Sequence, residues 1–412
     1  MSHIRDEKLA PYGKLKIDWV KKNMPLLNSI EEEFKTTKCL DGLKITMSIH
    51  VEAKTAYLAQ VLAAGGAQVA LTGCNPLSTQ DDVAAALAQT GIEVYTWHGA
   101  TDQEYHDLLK EAVSFSPNLF LDDGGDITAL LHEEYPDMPV WGGSEETTTG
   151  VTRLYSRQKA GKLRFPVVSA NDADCKHLFD NRYGTGQSVW NAINKTTNLI
   201  AAGKNVVIAG YGWCGKGCSM RAKGLGANVI VCEVDPVKAM EAVMDGFRVM
   251  PMAEAAKIGD IFVTVTGCER VIFGEHFRVM KDGAILSNAG HFDVEICLPE
   301  LEEQAVEIKQ VRENITGYRM ADGRWINVLA QGRLVNLAAG DGHPAEIMDM
   351  SFAIQALSMR YLAENYQNME NKVYQVPEEI DQYVARLKLK TMGVGIDELT
   401  EAQKEYLSDY IG

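Results

Sequence analysis

The chain has 412 residues, 46% of them hydrophobic and 23% charged, enough for two or three domains with a core each. Its formal charge of −16 argues against a nucleic-acid partner, whose phosphates call for a basic face. No apolar run reaches the ~20 residues of a membrane span, and MSHIRDEKLAPYGK lacks a signal-peptide core, so a cytoplasmic location and no membrane partner are expected. Eight scattered cysteines (39, 74, 175, 214, 218, 232, 268 and 297) read as free thiols of a reducing compartment. Neither Cys214 with Cys218 nor Cys175 with His177 makes half of a zinc site, and no metal is expected.

Residues 1–35 read as helical, with Ile17, Trp19, Val20, Met24, Leu27 and Ile30 on the apolar face. Strand patterns follow at 43–49, 68–74, 92–97, 118–123 and 138–143. Helix patterns at 53–64, 80–89, 101–113 and 126–135 fill the gaps. This alternation predicts an α/β fold with a doubly wound parallel sheet, whose ligands bind outside the carboxyl ends of the strands. Those ends carry His50, Asn75, Trp97, His98, Asp122, Asp123, and the run Ser144, Glu145, Glu146, Thr147. Asn75 or Ser144 alone would serve equally as a helix cap, but five polar ends in a row predict a pocket.

A second alternation follows a helical stretch at 186–202. The strand 205–209 runs into Gly210, Gly212 and Gly215 in a G-x-G-x-x-G turn, and Glu233 closes the next strand. In that context the glycines bring backbone up to a pyrophosphate at a helix N-terminus. The acid receives a ribose hydroxyl and repels a 2′-phosphate, so NAD is favoured over NADP. Further strands at 260–266 and 284–290, a hairpin at Asp322 and Gly323, and a helix opened by Pro344 complete the pattern. Two doubly wound domains are expected, the Rossmann NAD-binding domain (186–340) being inserted in a substrate-binding domain (1–185, completed by 341–385). Residues 386–412 form a C-terminal segment.

The stretches NPLSTQDDVAAALA, LDDGGD, SEETTTGV, FDNRYG, AGYGWCGKG, GHFDVEI, GRLVNL and GHP, in that order, carry a resemblance. From about residue 38 to 407 the sequence resembles the S-adenosylhomocysteine hydrolase family. The resemblance implies a hydrolase with tightly held NAD. The ribose 3′-hydroxyl is oxidised to a ketone, the C4′ proton is removed, homocysteine leaves C5′, water adds, and the ketone is reduced again. A ketone beside C4′ delocalises the carbanion and opens a route that direct attack on a thioether lacks.

Carried onto this sequence, the resemblance implies Lys176 and Asp180 at the 3′-hydroxyl, with Lys176 as base, its pKa lowered by burial. Asp123 and His50 fall at C4′ and C5′, and Glu146 and Thr147 at the ribose hydroxyls. Thr55, His343, Met348 and Phe352 surround the nucleoside, and Asn181 and His291 flank the nicotinamide. Thr147, Thr148, Thr149, Gly210, Gly212, Gly215, Glu233, Thr266 and Asn336 are the implied NAD contacts. On spacing alone, Lys176 and Asp180 would be a surface i,i+4 pair and His50 a structural histidine. Two features depart from the family: Lys238 replaces an asparagine near the adenosine ribose, and the C-terminal segment is shorter than the extension that reaches a neighbour's NAD. A homo-oligomer, a tetramer, is expected by resemblance. The rival readings are a plain NAD dehydrogenase and a silent NAD-binding regulator.

At the purine end, Glu52 stands at the family's threonine and Lys54 at its acid or glutamine, while Asp341 replaces a methionine. A lysine cannot accept a hydrogen bond from adenine's amine, whereas hypoxanthine offers an oxygen at C6 and an N–H at N1. Lys54 to the oxygen and Glu52 to N1–H would read S-inosylhomocysteine, with Asp341 on the purine or holding Lys54. The alternative substrate is S-adenosylhomocysteine, with Lys54 turned outward to a surface acid.

Overall fold

Two eight-stranded sheets organise the computed structural model, which describes residues 2–408. The last four residues of the C-terminal segment lie outside that range. The first sheet is parallel throughout, in the order His3–Ile4, Glu93–Thr96, Gln68–Thr72, Lys44–Ser48, Leu119–Asp122, Gly142–Glu145, Val167–Ser169, Val373–Gln375. Helices cover both faces, so Ile45, Met47, Leu119, Phe120 and Leu121 are all buried, as a doubly covered parallel sheet requires.

The second sheet runs Arg248–Val249, Asn228–Cys232, Asn205–Ala209, Ile261–Thr264, Ala284–Asn288, Trp325–Leu329, Ile315–Met320, Ala305–Arg312. Its first six strands are parallel, and the last two add an antiparallel edge across the turn at Asp322 and Gly323. All of these strands fall between two parts of the first sheet, so the Rossmann unit is an insertion. The chain returns through the helix Ala345–Asn365, which packs on the first sheet, and then adds that sheet's last strand, Val373–Gln375.

Three expectations are corrected. The N-terminal helical stretch is two helices, Ala10–Lys22 and Pro25–Thr37, with Pro25 opening the second. Buried Asp349 accepts from the N–H groups of Leu26 and Leu27 at that break. Trp19, assigned to the apolar face, is 67% exposed on the opposite side. The strand expected at 138–143 is Gly142–Glu145, set by its pairing with Leu119–Asp122; the Phe120 ring requires glycine at 143, where a Cβ would lie 2.2 Å from it. No helix among the described residues is long and apolar enough to cross a membrane.

Candidate active site

A cavity of about 1700 Å³ is lined by the carboxyl ends of strands from both sheets and by the helix Ala345–Asn365. The residues implied at substrate and cofactor line it, except Gly215 and Asp341; of the strand ends expected to form a pocket, His50, Asp123, Glu146 and Thr147 line it and Asn75, Trp97, His98, Asp122, Ser144 and Glu145 do not. Gly215 packs beneath the glycine turn, and Asp341 lines a separate cleft.

Lys176 ends a single helical turn, Asp174–Lys176, that runs into a π-helix, His177–Gly184. The wider winding turns Lys176, Asp180 and Asn181 inward together. The surface ion pair suggested by spacing is thus a buried network. Lys176 Nζ lies 2.8 Å from Asn181 Oδ1 and 3.3 Å from both Glu146 Oε1 and Asp180 Oδ2. Burial alone would lower the lysine, but the Asp180 and Glu146 carboxylates outweigh it and hold it above its ordinary value. The lowered pKa expected for Lys176 is therefore corrected. Burial pushes the Glu146 carboxyl up to about 7. Burial opposes ionisation of Asp180 too, yet Lys176, His343 and Ser351 hold it below the carboxylate range. His343 Nδ1 is 2.5 Å from Asp180 Oδ1, and Ser351 Oγ donates to Oδ2 at 2.7 Å.

Across the cavity, His50 Nε2 is 3.4 Å from Asp123 Oδ2, and His291 Nδ1 is 3.7 Å from Asp123 Oδ1. Burial lowers His50 to about 4, so it is neutral at physiological pH. Its Nδ1 meets Ser78 Oγ at 2.8 Å and Cys74 Sγ at 3.3 Å. Donor atoms of His50, Asp123 and His291 all lie within 4.8 Å of one another, close enough to share an ion.

Glu52 is the N-cap of the helix Ala53–Ala64, in an extended conformation that brings its side chain back over the first turn. That placement lets residues two apart meet: Lys54 Nζ lies 2.6 Å from Glu52 Oε2. The ammonium also donates to the Asp341 backbone carbonyl at 2.8 Å, and Lys54 is buried, not turned outward. Glu52 Oε2 additionally accepts from the Lys54 N–H, and Oε1 from Thr55 N–H and Oγ1. The four lone pairs of Glu52 are thereby taken, and its expected contact with N1–H is corrected. The Asp341 side chain is exposed and faces a separate cleft; only its carbonyl acts here.

The dinucleotide side has the backbone shape of a cofactor cradle. Gly210 has φ +104°, and a Cβ on Gly215 would sit 2.0 Å from the Gly210 carbonyl oxygen. A Cβ on Gly212, the N-cap of the helix Trp213–Gly224, would meet nothing within 4 Å. Glu233 accepts from the N–H groups of Tyr211, Val234 and Asp235, which fixes an acceptor beside the turn. Lys238 is half-exposed, 4.0 Å from Asp235. Glu295 holds Thr266 through N–H and Oγ1 at 3.0 and 2.7 Å. Asn336 is tied to Ser188 by Nδ2, leaving a buried Oδ1 with nothing to accept from. Thr148 Oγ1 and Asn181 Nδ2 converge on Asn171 Oδ1. These groups fit NAD.

Sequence reasoning passed over Gln355, Ser351, Asn171, Glu295, Cys74 and Ser78. Gln355 Nε2 donates to Glu146 Oε2 at 2.6 Å while its Oε1 accepts from Ser144 Oγ at 2.7 Å. The available signal was polar residues at 351, 355 and 358 within the otherwise apolar stretch from Met350 to Met359.

A dinucleotide cradle that opens onto a buried lysine and its carboxylates, within one cavity, belongs to an NAD-dependent enzyme. Family models described as S-adenosyl-L-homocysteine hydrolase and as the NAD binding domain of S-adenosyl-L-homocysteine hydrolase match residues 1–140 and 181–342. The chain is 56% identical to an adenosylhomocysteinase of Pyrococcus abyssi, over 99% of this chain and 97% of that one. It is 55% identical to an S-inosyl-L-homocysteine hydrolase of Methanococcus maripaludis (100% and 99% covered) and 54% identical to one of Methanopyrus kandleri (99% and 97%). The chain belongs to the S-adenosyl-L-homocysteine hydrolase family: it is a hydrolase that uses NAD.

Proposed function

We propose that the enzyme hydrolyses S-inosyl-L-homocysteine to inosine and homocysteine, with S-adenosyl-L-homocysteine the poorer substrate. Identity does not separate the two, at 56% to a relative named for one and 55% to a relative named for the other. The observation that carries the choice is Lys54. With two of its three N–H groups given to Glu52 and the Asp341 carbonyl, the third is free for an oxygen at purine C6. Adenine places an amine there, donor against donor. Since Glu52 is fully committed, discrimination rests on this one contact, worth about 1–3 kcal/mol or roughly 10- to 10²-fold.

In this reading the residues 1–185 and 341–385 form the substrate domain and 186–340 the NAD domain. Bound in the glycine cradle, NAD supplies a reversible hydride acceptor for C3′. Lys176 and Glu146 handle the 3′-hydroxyl proton. Because Lys176 is held charged, its ammonium stays a donor to the 3′-oxygen, and Glu146, with a carboxyl near 7, receives the 3′-hydroxyl proton. Asp180 and Asn181 orient the ammonium. Asp123 removes the C4′ proton, and His50, neutral and anchored by Ser78, serves the leaving sulfur and the incoming water at C5′. Thr55, His343, Met348 and Phe352 enclose the nucleoside, Thr147, Thr148, Thr149, His291, Thr266 and Asn336 the cofactor. The chain assembles as a homo-oligomer, a tetramer by resemblance. Exposed Val234, Val237, Met240 and Met244 beside the cofactor turn support such a contact.

The deciding experiment compares homocysteine release from the two thioethers by the purified NAD-loaded protein. Higher kcat/KM for the inosyl compound is expected; equal or better turnover of the adenosyl compound rules the preference out. NADH accumulating in bulk would favour a plain dehydrogenase, and light scattering at the 45.3 kDa monomer mass would refute the oligomer.

A further inference from the structure

Glu145 ends the strand Gly142–Glu145 directly opposite Asp122, the last residue of the neighbouring strand, and the reaction described above does not use it. Its side chain has no exposure to solvent. A single oxygen, Oε1, accepts from the backbone N–H of Gly124 at 2.9 Å and from that of Thr147 at 3.0 Å. Those amides come immediately after Asp123 and Glu146. One oxygen thus ties together the two loops that carry the C4′ base and the proton acceptor of the 3′-hydroxyl. The other oxygen, Oε2, has no hydrogen-bond partner.

A bare buried oxygen is costly on a carboxylate and far less so on a neutral acid. Burial, with the charges of Asp122 and Asp123 added to it, pushes the Glu145 carboxyl well above its ordinary value. Room for the side chain is made by Gly150 of the helix Thr148–Lys159, where a Cβ would lie 2.1 Å from Glu145 Cδ.

We propose that Glu145 is a positioning residue whose Oε1 sets the separation of the Asp123 and Glu146 loops. The proposal rests on the roles given above to Asp123 and Glu146. C3′ and C4′ are adjacent atoms of one ring, so the groups that serve them have to hold one fixed spacing. The last ladder bond between these strands, from the Glu146 N–H to the Asp122 carbonyl, stops short of Gly124 and Thr147, and this carboxyl carries the tie beyond it.

The test uses the full-length, NAD-loaded protein. Glu145→Met keeps the volume and removes the acceptor; a misplacement of about 1 Å is expected to lower kcat by roughly 10²-fold with KM within ~3-fold and NAD content unchanged. Glu145→Gln keeps an acceptor oxygen and is expected to recover at least ~10-fold of that loss. Glu145→Asp, which withdraws the oxygen by one methylene, should fall between them and serves if the Met variant does not fold. Wild-type kcat in Glu145→Met or Glu145→Asp, or a Gln variant no better than Met, would overturn the tie. Asp123→Asn assayed alongside separates the two levels. Wild-type turnover there overturns the underlying roles, whereas an inactive Asp123→Asn beside a fully active Glu145→Met overturns the tie alone.

Discussion

Gln355 Nε2 donates to Glu146 Oε2 at 2.6 Å, and the far end of the same amide is held by the Ser144 hydroxyl. The amide cannot flip without placing two acceptors face to face, so its N–H stays on Glu146. That N–H favours the ionised carboxylate against the burial that raises it. Gln355→Met is expected to push the Glu146 carboxyl further up, and the acidic limb of the pH–rate profile should move to higher pH with it. A hydrogen bond to a charged group contributes about 1.5–3 kcal/mol, so kcat near neutrality should drop roughly 10-fold or more. An unmoved acidic limb would count against Glu146 as the proton acceptor.

Lys54→Gln replaces an obligate donor by a side chain that can present an oxygen to an amine. The ratio of kcat/KM for the inosyl over the adenosyl thioether is expected to fall by ~10- to 10²-fold. The variant also frees Glu52 from its ion pair but leaves it as the helix cap, so the fold should persist. A ratio that does not change would remove Lys54 from purine recognition.

Gly212 and Gly215 should part company under substitution. A Cβ at 215 collides with the Gly210 carbonyl, and one at 212 enters open space. Gly212→Ala is therefore expected to fold with the thermal stability of the apo protein unchanged while co-purifying with much less NAD, because the open space is the pyrophosphate's. Gly215→Ala should lower the melting temperature of the apo protein itself. Equal NAD content in wild type and Gly212→Ala would place the cofactor elsewhere.

His50 gives a pH dependence of stability with a definite sign. Its folded value, about 4, lies below the ~6.5 of the unfolded chain, so the unfolded state binds the extra proton first. Stability is complete above ~6.5 and is lost as pH falls towards 4, by about 3 kcal/mol for a shift of roughly 2.5 units. His50→Gln removes this loss: denaturation at pH 7.5 and at pH 4.5 should show wild type losing more than the variant. Parallel losses would mean that His50 titrates normally in the fold.

What the sequence disclosed followed local rules. Strand–helix alternation, the glycine turn and the helix at Ala53 are written in periodicity and turn chemistry, and they appear where expected. What stayed hidden was decided by distant atoms. Gly142–Glu145 reads Gly-Gly-Ser-Glu, with no strand-forming residue; it is a strand because it is paired on both sides, by Leu119–Asp122 and Val167–Ser169, and it opens on glycines because the Phe120 ring and Pro166 leave room for nothing larger. Edge strands such as Ala305–Arg312, mostly exposed, lack the continuous apolar run that marks an interior strand of a parallel sheet. Within the site, the identities of Lys176, Asp180 and Glu146 were legible, but the charge on Lys176 was not. That charge depends on two carboxylates converging from separate elements, which no spacing along the chain reveals.

The strand Val373–Gln375 has a consequence for how the chain is made. Its neighbour, Val167–Ser169, leaves the ribosome about 200 residues earlier, and the entire second sheet is synthesised in between. Until the closing strand emerges, the backbone of Val167–Ser169 is an open edge able to recruit a stray strand. The inserted unit, whose strands are contiguous in the chain, is free to fold first. Shortening the nascent chain before residue 373 should thus yield a folded cofactor-binding unit tethered to an aggregation-prone half-sheet, and translation speed between 340 and 375 becomes a determinant of yield.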